Sequence, residues 1–210
     1  MSTAPATTRT RSYSPTTHRF FDDLVVFLAT LSSNLVTVEA LRCGGYTKVA
    51  ADPQYYMQFA GCRLAVQLTW YPQETLLTIA ANSWPSQLIL REDLCHPRAP
   101  VFALSSTGAK SLQSISLQSC FLRYFETNRP KIEARFGDKP AAWPSVWNFA
   151  RVVRNAFAHG GLLTFRNASA QAVSWQGLTY GPSQQGRQVI FQDLAFVEVL
   201  SLLEELDAQL

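Results

Sequence analysis

The stretch Pro144–Gly161 constrains this chain most, because its ends and both of its faces are specified by residue type. It reads Pro-Ser-Val-Trp-Asn-Phe-Ala-Arg-Val-Val-Arg-Asn-Ala-Phe-Ala-His-Gly-Gly. Proline suits a helix start, where its missing N–H would be unpaired anyway, and glycine past the end accepts a left-handed backbone. A helix is therefore predicted from Pro144 to the Gly160-Gly161 pair. At 100° per residue, Val146, Phe149, Ala150, Val153, Phe157 and Gly160 fall on one side. Asn148, Arg151, Arg154, Asn155, Ala158 and His159 fall on the other. Arg151, Asn155 and His159 stand at i, i+4 and i+8 and form a polar stripe, with Arg154 beside it.

The rest of the chain must bury that apolar face. With 47% apolar and 16% charged residues in 210, it has material for a core, which excludes global disorder and suits one domain, or one domain with an insertion. A net charge of +3 is only mildly basic and does not single out a nucleic-acid binder. No run of about 18 uninterrupted apolar residues occurs, so no membrane span is predicted. The N-terminus lacks the apolar run of a secretory signal. Cys43, Cys62, Cys95 and Cys120 are irregularly spaced and contain no CxxC, which reads as reduced, mostly buried thiols in a cytoplasmic protein.

Residues 1–15, rich in Thr, Ser, Ala and Arg, read as a mobile, disordered tail. Residues 16–210 read as a single all-α domain. A first helix is predicted over about 17–42 from Phe20, Leu24, Phe27, Leu28, Leu31, Leu35, Val38 and Leu41, ending at Gly44-Gly45. A second is predicted from Asp52-Pro53 through Tyr56, Phe59, Cys62, Val66 and Trp70, with Pro72 as a break and helix resuming over 73–83. Residues 84–108, with Pro85, Pro97 and Pro100, read as a long connection. A helix over about 109–127 and a loop over 128–142 precede the 144–160 helix. The period then changes, and about 162–192 reads as a small β-hairpin or three-stranded insertion. Asp193 reads as the cap of a last helix carrying Phe196, Val197, Leu200, Leu203 and Leu206 inward.

The string Arg154-Asn155-Ala-Phe-Ala-His159 resembles the signature of the HEPN superfamily. There an arginine, usually followed by a polar residue, precedes a histidine by four to six residues; here four intervene. The Gly-Gly after His159 and the position of this helix as the penultimate one fit that resemblance. It is sharp over about 150–161 and elsewhere rests on helix order. It implies a HEPN-like helical bundle with the hairpin inserted between its last two helices. It also implies a metal-independent endoribonuclease without cofactors, working as a homodimer whose motif helices face each other. Toxin or antiphage roles, RNA as substrate and an antitoxin protein as partner are further implications.

The residue types fit that chemistry. RNA carries its own nucleophile in the 2′-OH and needs a base, an acid and cations around the phosphate. His159 can be either base or acid near neutral pH, and Arg154 offers a fixed cationic fork. Asn155 can hold the imidazole or bind phosphate. Arg151 could add substrate affinity. Trp147 lies toward the arginine side of the wheel and could stack on a base, although core or dimer-seam filling competes with that role. Ala158 would let a partner helix approach closely. His96 beside Cys95 lacks the further ligands of a metal site, and His18 reads as surface. Asn167-Ala-Ser169 fits a glycosylation acceptor without a secretory context. Each polar residue alone could be solvated helix surface, so a non-catalytic HEPN-like RNA-binding or protein-interaction module and a purely structural helical dimer stand as alternatives.

Overall fold

The computed structural model describes residues 9–42, 54–95 and 107–210. The helix end at Gly44-Gly45, the start at Asp52-Pro53, and Cys43, His96, Pro97 and Pro100 lie outside the described residues. Among the described residues there are five α-helices: α1 (Phe21–Arg42), α2 (Gln73–Ala80), α3 (Thr107–Phe136), α4 (Ser145–Ala158) and α5 (Phe196–Asp207). Six strands accompany them: β1 (Arg9–Tyr13), β2 (Met57–Ala60), β3 (Val66–Trp70), β4 (Leu88–Leu94), β5 (Val173–Trp175) and β6 (Leu178–Tyr180).

The chain is therefore mixed α/β, which overturns the all-α expectation. Strands β1-β4-β3-β2, in that order, form a four-stranded sheet with antiparallel neighbours. The predicted second helix is in fact the β2–β3 hairpin. Tyr56, Phe59, Cys62, Val66 and Trp70 fit helical spacing, but Met57 and Phe59 are buried on either side of exposed Gln58. That two-residue period puts one face of a pleated strand into the core. The predicted connection over 84–108 contains β4, where Leu88 and Leu90 are buried and Ile89 is exposed. The predicted tail contains β1, which pairs Arg9–Tyr13 with Leu88–Glu92. The expected loop over 128–142 is largely helix, since α3 continues through Pro130 to Phe136. A hairpin, β5–β6, does lie between the last two helices, and it spans only 173–180.

The helices form a second layer in which α3 packs on α1, α4 and α5. The segment Phe21–Val38 of α1 is long and apolar enough to cross a membrane by length and composition, with a mean hydropathy of 1.4, and 44% of it is buried inside the fold. Helix α5 joins the layers, packing on β2 and β3 as well as on α3 and α4. The Phe196 ring stacks on Phe27 of α1 at 5.1 Å and meets Phe59 of β2 at 4.4 Å between centroids.

Polar bonds fix this joint. The buried Glu198 carboxylate accepts from the Arg63 and Leu64 backbone N–H groups at 2.8 and 2.9 Å, and from Ala195 N–H at 3.0 Å. It thereby ties the β2–β3 turn to the start of α5. Gly61 is required there, because a Cβ would lie 2.4 Å from the Leu64 carbonyl oxygen. At the other end of α5, Asp207 accepts from Tyr124 Oη at 3.0 Å and from Arg19. Asp193, predicted as a cap, instead accepts from Arg187 and Tyr180, and the α5 N-cap is Ala195.

Candidate functional site

Helix α4 has the two faces its sequence specifies, but the apolar one is broader. Val146, Phe149, Ala150, Val153 and Phe157 are buried, and so are Trp147, Val152 and Ala156. Trp147 is fully buried. Its ring lies 5.2 Å from Phe125, and its Nε1 donates to the Leu206 carbonyl at 3.3 Å. It cannot stack on a base, so the predicted substrate-binding role of Trp147 is corrected to a core role. The reason is that α3 and α5 both cover α4, so more than half its circumference meets protein.

The remaining predicted residues come together. Arg151, Arg154, Asn155 and His159 line one groove of about 860 Å³. The opposite wall is the segment 164–174, which includes Arg166, Asn167, Gln171 and Ser174. Two features hold that wall in place. Phe149 of α4 stacks on Tyr180 at 5.1 Å and meets Trp175 at 5.5 Å, which pins the hairpin to the helix. The Gly160-Gly161 pair reverses the chain with φ of +70° and +87°, and Gly161 N–H closes on the Ala156 carbonyl at 2.8 Å. Gly161 is also a close approach, since a Cβ would lie 2.5 Å from Gln188 Nε2 and 2.7 Å from Ile190 Cγ2.

The groove is electrostatically one-sided. Arg151, Arg154, Arg166 and His159 line it, and among the described residues no aspartate or glutamate does. Its amide side chains, Asn148, Asn155, Asn167 and Gln171, offer both donors and acceptors. Arg154 is ion-paired through Nε with Glu126 of α3, and its Nη1 donates to Asn155 Oδ1 at 3.3 Å. Glu126 was not legible as a site residue, because it lies 28 positions away on another helix. Arg166 was missed likewise, on a loop without periodicity. Arg151 differs from Arg154. Its Nε is buried without a hydrogen-bond partner, and burial lowers its guanidinium below the ordinary arginine value. Ala158, His159 and Gly160 are exposed at the end of α4.

Among the described residues, no cluster of three or more His, Cys, Asp or Glu could hold a metal ion. Cys62 and Cys120 are free thiols; burial pushes the Cys62 thiol up to about 12, and Cys120 is pushed higher still. Neither of these two thiols is therefore a thiolate nucleophile near neutral pH.

Compared with known protein families, curated proteins and solved structures, the chain matches none.

Proposed function

We propose that this groove binds RNA and cleaves it by attack of the ribose 2′-OH on the adjacent phosphorus, the chemistry implied by the HEPN-like Arg154, Asn155 and His159 set. The observation that carries this reading is the groove lined by Arg151, Arg154, Arg166 and an exposed His159 with no carboxylate among its described lining residues. Such a lining favours a polyanion.

In the reaction the O2′–P bond forms and the P–O5′ bond breaks. A base takes the 2′ proton, an acid gives one to the 5′ oxygen, and the products carry a 2′,3′-cyclic phosphate and a 5′-OH. His159 is the groove's lining imidazole and performs one of the two transfers. Arg154 and Asn155 face the phosphate oxygens, where fixed donors stabilise developing charge. A second His159, from another copy of the chain, supplies the other transfer. The exposed Ala158, His159 and Gly160 at the end of α4 leave room for a homodimer there. A cytoplasmic toxin or antiphage effector, held by an antitoxin protein, is the setting this chemistry suits.

One observation favours a second reading, a non-catalytic RNA-binding or protein-interaction module. Arg154 is already paired with Glu126, and among the described residues His159 is the one histidine that lines the groove. Incubation of labelled RNA with the protein and with its His159→Ala and Arg154→Ala variants separates the two. The catalytic reading expects cyclic-phosphate ends from wild type alone, in the presence of a chelator. RNA retained but uncut by wild type supports the second reading.

A further inference from the structure

Four arginines among the described residues are half-buried: Arg11, Arg129, Arg151 and Arg154. Arg11 pairs with Glu92 and Glu204, Arg129 with Glu126 and Glu133, and Arg154 with Glu126. Among the described residues Arg151 has no ion pair, and its Nε has no acceptor. A partly desolvated cation without a counter-ion is unfavourable unless something supplies one. Across the groove, Arg166 is exposed on the opposite wall and also has no carboxylate beside it in the lining.

We propose that Arg151 and Arg166, from opposite walls, form a phosphate subsite distinct from the His159 end, and that the ligand is single-stranded RNA spanning both. This rests on the RNA reading above. Arg151 precedes His159 by eight positions, about 12 Å along the helix at 1.5 Å per residue. A phosphate held at Arg151 therefore belongs to a different nucleotide from the bond at His159. A groove of about 860 Å³ walled on both sides has the dimensions of a small-ligand pocket and admits unpaired nucleotides rather than a duplex. Asn155 lies between the two ends on α4, and Asn167 and Gln171 line the same groove from the other wall, so exposed base edges meet amides. Arg154, already neutralised by Glu126, is the less available cation, so Arg151 carries more of the affinity.

The test uses the full chain carrying His159→Ala, so that cleavage cannot consume the probe, and a labelled oligouridylate of about 12 nucleotides. Binding is followed by fluorescence anisotropy against salt. Adding Arg151→Ala or Arg166→Ala is expected to weaken binding and to reduce the slope of log K against log salt by about 0.7 each, one phosphate contact per arginine. Arg151→Lys keeps the slope, and Arg91→Ala, on the sheet, changes neither quantity. Unchanged slopes in Arg151→Ala and Arg166→Ala overturn the subsite. Displacement of the probe by inorganic phosphate or uridine monophosphate at equal phosphate concentration assigns the subsite to a free phosphate and overturns the RNA assignment. An uncut RNA with altered slopes overturns the catalytic reading and leaves the subsite standing. Cleavage by the unmutated chain with unaltered slopes does the reverse, and no binding at low salt overturns both.

Discussion

Arg154 of α4 and Glu126 of α3 form an ion pair beside a groove whose described lining holds no carboxylate. The pair fastens two helices that already pack together, and it sets the resting charge beside Asn155. Glu126→Gln removes the counter-charge while keeping the shape. RNA binding is expected to tighten severalfold at low salt and to lose that gain as salt screens the groove. Both partners are about one-third exposed, so the stability change is expected to be small, about 0–1 kcal/mol. Anisotropy titrations and a thermal melt check the two halves of this prediction.

Gly161 and Gly160 both have left-handed backbones, but only Gly161 is also crowded. Gly160→Ala is expected to cost about 1 kcal/mol in a denaturant titration, the ordinary penalty of a side chain at positive φ. Gly161→Ala should cost more, about 2–4 kcal/mol, because Gln188 and Ile190 must also move. Since Gly161 leads into the 164–174 wall, its variant should weaken RNA binding as well. Equal costs at the two positions would refute the crowding argument.

Glu198 is fully buried and accepts three backbone N–H groups from two separate elements. A glutamine there has one acceptor oxygen and turns two donors toward N–H groups. Glu198→Gln is expected to destabilise the fold by about 3 kcal/mol, read from the denaturant midpoint. A loss under about 0.5 kcal/mol would show that the β2–β3 turn does not depend on this carboxylate.

Asp23 is buried beside Cys120 and Arg123, and desolvation raises its carboxyl to about 6, against the lowering effect of Arg123 and with a further rise from Asp22. Between its ordinary value of 3.8 and about 6, the folded chain binds more protons than the unfolded one at this site. This group therefore makes stability fall as pH rises through that window. Asp23→Asn should stabilise the protein at pH 7 by on the order of 1 kcal/mol, discounted for the exposed Arg123 partner, and give no gain near pH 3. Melts of both proteins across pH 3–8 test the sign.

What could be read from the sequence depended on how many signals agreed. For α4, the Pro144 start, the Gly-Gly end and a clean division of faces all agree, and Arg151, Arg154, Asn155 and His159 do share one groove. The hairpin before Asp193 was legible because β-formers near 171–176, set among Gly, Asn, Pro and Ser, break helical period, whereas the segments near 162–166 and 188–192 pair only at the isolated Leu162–Gln188 bridge. The four-stranded sheet was not. Tyr56, Phe59, Cys62, Val66 and Trp70 satisfy a helical pattern, whereas the alternation that β2 uses, Met57 and Phe59 about Gln58, spans only a few residues, and short apolar runs do not distinguish the two. Proline density around 84–108 masked Leu88-Ile89-Leu90, a buried alternation of only a few residues. Trp147 sits at the border of the α4 wheel, where neighbours in space rather than in sequence decide burial. Glu126 and Arg166 reach the site only through tertiary packing.

The central claim is that the α4 groove cuts RNA through His159. The most direct measurement is end analysis of a labelled single-stranded RNA incubated with purified wild-type protein and with His159→Ala, both in chelator. The account predicts fragments ending in 2′,3′-cyclic phosphate from wild type and intact RNA with His159→Ala. Equal cleavage by the two proteins, or no cleavage by wild type while RNA remains bound, would contradict it.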